Sequence, residues 1–181
     1  YRMDAATKSL KAFPWRGVGL LCDRTGALLS VEETGLRKFD PRTNTSREYP
    51  FDKPQKRVSE YSHYLFEDAD GAIWIFGFEG LTKATPENTG YRFEYFRNNP
   101  NNRSSISSNI VLSVADDPLE PRRYLWVGTK SGGLNRLDKQ TGQWKHYKKE
   151  QGLPDNVVYG ILAEGAGTSS RAGGRPFIWL S

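Results

Sequence analysis

The side chains able to do chemistry in this 181-residue chain are few and dispersed. The stretch GTKSGGL (128–134) spaces two glycines as a phosphate-binding loop does, but Leu134 stands where such a loop needs lysine, and the stretch reads as a hairpin turn. The glycine-rich GAGTSSRAGG (165–174) lacks the strand–loop–helix setting of a nucleotide site and reads as an insertion in a hairpin. Glu32-Glu33 and Asp116-Asp117 are adjacent acids. Neighbours on a strand point to opposite faces, so neither pair makes a two-carboxylate acid–base site, and both read as solvated surface. His63 and His146 are far apart with no matching acidic cluster, and the single cysteine, Cys22, can form neither an internal disulfide nor a cysteine zinc cage. No cofactor, metal or catalytic set is expected.

The formal charge of +5 would suit an anionic partner. Its densest run (Lys145, His146, Lys148, Lys149) falls on an outer strand, where a solvated edge accounts for it, so no nucleic-acid partner is expected. No stretch approaches the roughly 18 apolar residues of a membrane span, and no membrane contact by this segment is expected. Aromatics at 13%, charged residues at 26% and 18 glycines describe a folded domain.

Repetition shows which elements must position any site. GALLSVEETGLRKFD (26–40), GAIWIFGFEGLTKAT (71–85) and YLWVGTKSGGLNRLD (124–138) align Leu29, Trp74 and Trp126 at one place and the Gly-Leu pairs 35–36, 80–81 and 133–134 at another, a period of about 45–53 residues. FIWLS begins a further copy with Trp179. A second ladder steps by three through Asp138, Thr141, Trp144 and Tyr147, through Asp40, Thr43, Ser46 and Tyr49, and through Asp4, Thr7, Leu10 and Phe13. Each unit reads as four short strands, A to D; in the second they are HYLFED, AIWIFG, LTKAT and YRFEYF, joined by turns at 69–71, 78–80 and 86–90. The strand B Trp is expected between neighbouring sheets.

One such sheet cannot bury both faces alone, and no segment keeps a helical apolar period. The fold expected is an all-β propeller of four-stranded antiparallel blades. Strands C–D of one blade occupy 1–16, complete blades 17–58, 59–103 and 104–153, and strands A–B of another 154–181. The two half-blades could pair to close a four-bladed ring, but a segment of a larger propeller is the favoured reading.

Two places carry a family resemblance: DADGAIWIFGFEGL (68–81), with LWVGTKSGGLNRLDKQTGQWKHY (125–147) as its clearer version, and the linker NNPNNRSSISSNIVLSV (98–114), with the shorter GLPDNVVYGIL (152–162). Together they resemble the two-component regulator propeller repeat. Departures are Leu29 in place of Trp, Phe76-Gly77-Phe78 in place of Gly-Thr, and DDPLEPRRY (116–124) and AEGAGTSSRAGGRP (163–176) in place of the Asp-x-x-Gly turn. The resemblance implies a non-catalytic sensory propeller in the periplasmic part of a bacterial two-component sensor histidine kinase. It also implies an oligosaccharide or other small-molecule ligand and a homodimeric full-length protein. A protein-interaction or dimerisation scaffold and a propeller enzyme such as a polysaccharide lyase are the competing readings.

In a propeller the B–C turns and D–A linkers share one rim, where small ligands dock. The candidates there are Glu33, Phe78, Glu79, Lys130 and Ser131, joined by Arg16, His63, Asn109 and Asn156 where linkers lead into inner strands. Asn109 and Asn156 also have a plain reading as linker caps, His63 as a satisfied strand residue, and Trp15 either as a sugar-stacking platform or as a core or rim aromatic.

Overall fold

The computed structural model describes residues 2–3, 6–11, 17–53, 63–164 and 176–181. Strands β1 (Arg2–Met3) and β2 (Leu10–Lys11) form a two-stranded antiparallel sheet. Three four-stranded antiparallel sheets follow. The first holds β3 (Val18–Cys22), β4 (Leu28–Val31), β5 (Gly35–Asp40) and β6 (Thr45–Pro50). The second holds β7 (Tyr64–Glu67), β8 (Ile73–Gly77), β9 (Gly80–Glu87) and β10 (Gly90–Phe96). The third holds β11 (Val111–Asp116), β12 (Tyr124–Thr129), β13 (Leu134–Asp138) and β14 (Trp144–Tyr147). After a 3-10 turn at Lys149–Gln151 come β15 (Ile161–Glu164) and β16 (Phe177–Leu180), again a two-stranded sheet. Within each complete sheet every strand pairs with its sequence neighbour, the meander of a propeller blade. Among the described residues β1–β2 and β15–β16 form separate two-stranded sheets.

The core lies between sheets. Leu29, Val31 and Leu36 of the first meet Ile73, Ile75 and Ala84 of the second; Trp74, Phe76 and Leu81 of the second meet Val114, Leu125 and Leu137 of the third. Trp126 and Leu134 pack with Val158, Ile161 and Ile178. Each sheet thus buries a face against the next, as its apolar alternation demands.

The Gly-Leu repeat has a steric cause. A Cβ on Gly80 would sit 2.5 Å from the Phe96 carbonyl oxygen, and one on Gly133 would sit 2.1 Å from that of Tyr147. Both glycines also hold positive φ, +83° and +74°. The following leucines, Leu81 and Leu134, fill the core.

An aspartate before strand B organises each complete sheet. Asp68 accepts the Asp70 and Ala72 amides through Oδ1 (2.9 and 3.0 Å) and the Trp74 indole Nε1 through Oδ2 (2.8 Å). Asp117 does the same for the Leu119 and Glu120 amides and for Trp126 Nε1 at 2.8 Å, although its turn lacks the Asp-x-x-Gly pattern. In the first sheet Leu29 has no indole to offer. Lys38, paired with Leu29 across β4–β5, reaches Asp23 Oδ2 at 2.7 Å instead. Burial raises the Asp23 pKa, but the bonds from Lys38, Thr25 and Ala27 outweigh it and hold the carboxyl below its ordinary value.

Two expectations are corrected. Asp116 and Asp117 are not solvated surface: Asp117 is 8% exposed, and the Asp116 side chain is 20% exposed. They do face opposite ways, Asp116 onto the second sheet through the Ala69 amide (2.7 Å) and Asp117 onto Trp126. Strand C of the second sheet also runs beyond LTKAT to Glu87, with Pro86 paired to Tyr91. Proline is tolerated there because β8 pairs no farther than Ala84, so no neighbour needs its missing N–H.

Candidate functional site

The rim of B–C turns and D–A linkers is held by backbone bonds between sheets. The Gly80 amide donates to the Asn109 carbonyl at 2.6 Å, and the Gly133 amide to the Asn156 carbonyl at 2.9 Å. Each asparagine side chain braces its own linker: Asn109 Oδ1 accepts the Asn98 amide at 2.7 Å, and Asn156 Oδ1 accepts the Lys149 amide at 2.9 Å. Both carry the linker-capping role, whatever else they touch. The linker between the second and third sheets is further fixed by Asn98 Nδ2 on the Ile106 carbonyl (2.8 Å), with Ile106 buried in the core. His146 Nε2 lies 2.9 Å from the Ser105 carbonyl; burial pushes this imidazole below its ordinary pKa, partly offset by that bond.

His63 and Glu79 line one cleft between the first and second sheets, walled by Val31, Phe51, Ile75 and Phe76 and edged by Thr82 and Arg97. Its enclosed volume is about 10 Å³, room for roughly one water molecule. His63 is 7% exposed. The half-buried Arg97 guanidinium donates to the Leu81 and Phe96 carbonyls at 3.0 and 3.2 Å. Burial lowers its pKa, and the Glu79 carboxylate works against that shift.

Phe78, 40% exposed, caps the β8–β9 turn beside Asn109. Lys130 and Ser131 occupy the next turn: the Lys130 amide donates to the Ile110 carbonyl at 3.0 Å, and Ser131 Oγ lies 3.2 Å from Ser108 Oγ. This is the GTKSGGL stretch, closed as a hairpin turn by Thr129 Oγ1 on the Gly133 carbonyl (2.9 Å). Phe78, Glu79, Asn109, Lys130 and Ser131 therefore follow one another along the rim of the second and third sheets, with His63 beneath Glu79. Glu33 stands exposed on the first sheet's turn, and Asn156 lies on the far side of the third sheet. Arg16, Trp15 and the 165–174 stretch lie outside the described residues.

Sequence reasoning missed Tyr64 and Arg97. Tyr64 is 52% exposed and stacks on Phe76 with ring centroids 5.6 Å apart, an aromatic face at the start of strand A. Its signal was its place one residue after His63. Arg97 directly follows strand D, where the ladder of aromatics ends. A second opening, of about 250 Å³, lies between the second and third sheets near Lys83, Glu94 and Lys139, away from this rim. Among the described residues no group of His, Cys, Asp or Glu is placed to hold a metal ion. What the rim offers is stacking surface, amide and hydroxyl donors and acceptors, carboxylates and cations, an arrangement suited to noncovalent recognition.

The fold is that of a β-propeller segment, and comparison with solved structures bears this out. No family model matches the chain, and no curated protein does. It is similar to the extracellular domain of BT3049 from B. thetaiotaomicron, a protein assigned to the hybrid two component systems, with 25% identity and a TM-score of 0.62 over 81% of this chain and 20% of that one. The repeat resemblance and this structural likeness agree. It is also similar to a streptogramin B lyase (17% identity, TM-score 0.57, 93% of this chain and 50% of that one). A virginiamycin B lyase from Staphylococcus aureus, in complex with quinupristin, is a further likeness (15% identity, TM-score 0.53, 80% of this chain and 44% of that one). The two lyases share the fold. This chain spans a fifth of the length of the BT3049 domain.

Proposed function

We propose that this chain is part of a non-catalytic sensory propeller in the periplasmic region of a bacterial two-component sensor, and that its ligand is a carbohydrate or another small nutrient. The likeness to the BT3049 extracellular domain over 81% of the chain supports the sensory reading. The rim presents aromatic and polar groups suited to noncovalent binding. Among the described residues, no helix is long and apolar enough to cross a membrane. Binding would signal by favouring one arrangement of the larger protein over another, since equal affinity for both shifts nothing.

The test is calorimetric titration of the complete sensor ectodomain with oligosaccharides of differing linkage, beside Phe78→Ala and Glu79→Gln. Phe78 is 40% exposed on its turn, so its change should alter stability by no more than about 0.5 kcal/mol; Glu79 is half-buried beside Arg97, so its change is checked by thermal unfolding alongside. Loss of a stacking face or a hydrogen bond should weaken binding roughly five- to thirtyfold. Unchanged affinity in both variants removes this rim as the binding surface.

A scaffold role has one observation in its favour. Tyr159, Leu162, Phe177 and Trp179 are 70, 66, 53 and 58% exposed, an apolar surface on and beside the β15–β16 sheet. Self-association that weakens on Trp179→Ser, with no response to any small molecule, is the result that would favour it.

A further inference from the structure

Lys139 is an unusual residue for a hairpin turn: its side chain is only 4% exposed. Its ammonium lies 3.1 Å from Asp68 Oδ2, 3.2 Å from Asp70 Oδ2 and 3.5 Å from Asp116 Oδ1, and it donates to the Pro121 carbonyl at 2.8 Å. Asp68 and Asp70 belong to the A–B turn of the second sheet, Asp116 to strand A of the third, and Lys139 to its C–D turn. The other carboxylate oxygen of Asp116, Oδ2, accepts the Ala69 amide across the same junction.

We propose that the Lys139–Asp68–Asp70–Asp116 cluster is a proton-responsive clamp between the second and third blades, tightened when Asp116 takes up a proton and loosened when it loses it. Three carboxylates face one buried ammonium. Arg122 reaches only the outer one, Asp70, at 3.8 Å, from a side chain 82% exposed. The other nearby charges are already committed: Asp117 to Trp126 Nε1, Asp138 to Arg123 at 3.3 Å, and Glu67 to Arg24. Asp68 already accepts two amides and the Trp74 indole. Asp116 Oδ1 is buried without a hydrogen-bond donor, its distance to Lys139 being that of an ion pair only. Burial raises the Asp116 pKa from 3.8 to about 6, against the opposing pull of Lys139 and the Ala69 amide. Because the folded value lies above the ordinary one, the folded state holds the proton more tightly, and stability falls as pH rises between these values. The corresponding junction of the first and second sheets uses Arg24 on Glu67 and on the Asp68 carbonyl, with an Arg24 side chain 53% exposed, and among the described residues carries no buried lysine cluster of this kind.

The direct readout is the Ala69 amide proton, whose NMR shift reports the carboxylate it touches. In the 181-residue chain its titration midpoint should lie near 6. A second measurement compares hydrogen exchange at this amide with that in Asp116→Asn, which mimics the protonated acid. The wild type should open about tenfold or more often than the variant near pH 7.5, and about equally often near pH 3, below both values. A midpoint near 3.8, or a ratio of opening that does not change with pH, overturns the proposal.

Discussion

Replacing Lys139 with methionine is expected to lower the unfolding free energy by about 3–5 kcal/mol, the usual cost of leaving a buried charge without its partner. The methionine keeps most of the volume, so the loss is electrostatic. Asp68, whose side chain is wholly buried, and Asp116 would face each other across the junction with no cation between them. Chemical denaturation near neutral pH measures the loss. A second substitution, Asp116→Asn, should restore part of it by removing one of the uncompensated charges, and the double-mutant cycle gives the coupling. A change under about 1 kcal/mol in the single variant would show that the cluster is held by neighbours other than Lys139.

Trp74→Ala should cost about as much, roughly 3–5 kcal/mol, for a different reason. The ring is fully buried between two sheets, 5.8 Å from Phe96, in the cluster with Leu125 and Leu137. Truncation leaves a cavity and also removes the indole donor to Asp68. Trp74→Phe separates these effects: it retains most of the packing and should cost about 1–2 kcal/mol through the lost hydrogen bond. If Phe and Ala cost the same, the bond and not the packing carries the residue's contribution. Leu29→Ala, at the equivalent place of the first sheet, should cost about 2–4 kcal/mol, because no indole bond is lost with it.

Trp74, Trp126, the Gly-Leu pairs and the apolar alternation were legible because each acts within its own sheet, at a fixed spacing that repeats along the chain. Contacts between sheets were not. Nothing in DKQTG (138–142) distinguishes Lys139 from a solvated turn residue, because its partners Asp68 and Asp70 are about 70 residues away and meet it only once two sheets are stacked. Asp117 was misread for a related reason. The turn after it differs from its counterparts, so the shared function, two amides and an indole on one carboxylate, was hidden by a changed spacing. A cation faces the strand B position in all three complete sheets, as Lys38, Lys83 and Arg136, and this was visible in the sequence once the register was known. Where the indole is present the cation lies over it, 5.5 Å from the Trp74 ring and 5.7 Å from that of Trp126; where leucine replaces it, the lysine turns to the aspartate. On the rim, Phe78, Glu79, Asn109, Lys130 and Ser131 could be found because hairpin topology alone decides which turns share an end. Tyr64, next to His63, could have been included with it, but its exposure and its stacking on Phe76 across β7–β8 show only in the folded sheet.

The sensory reading is tested most directly by thermal unfolding of the complete ectodomain against a panel of oligosaccharides, with each mixture assayed afterwards for altered glycan. One class is expected to raise the melting temperature saturably, by RT ln(1 + [L]/Kd) in free energy, and to be recovered unchanged. Conversion of the glycan would show an enzyme, and an absence of any shift across the panel, with association that depends on protein concentration, would show a scaffold; either result contradicts the account.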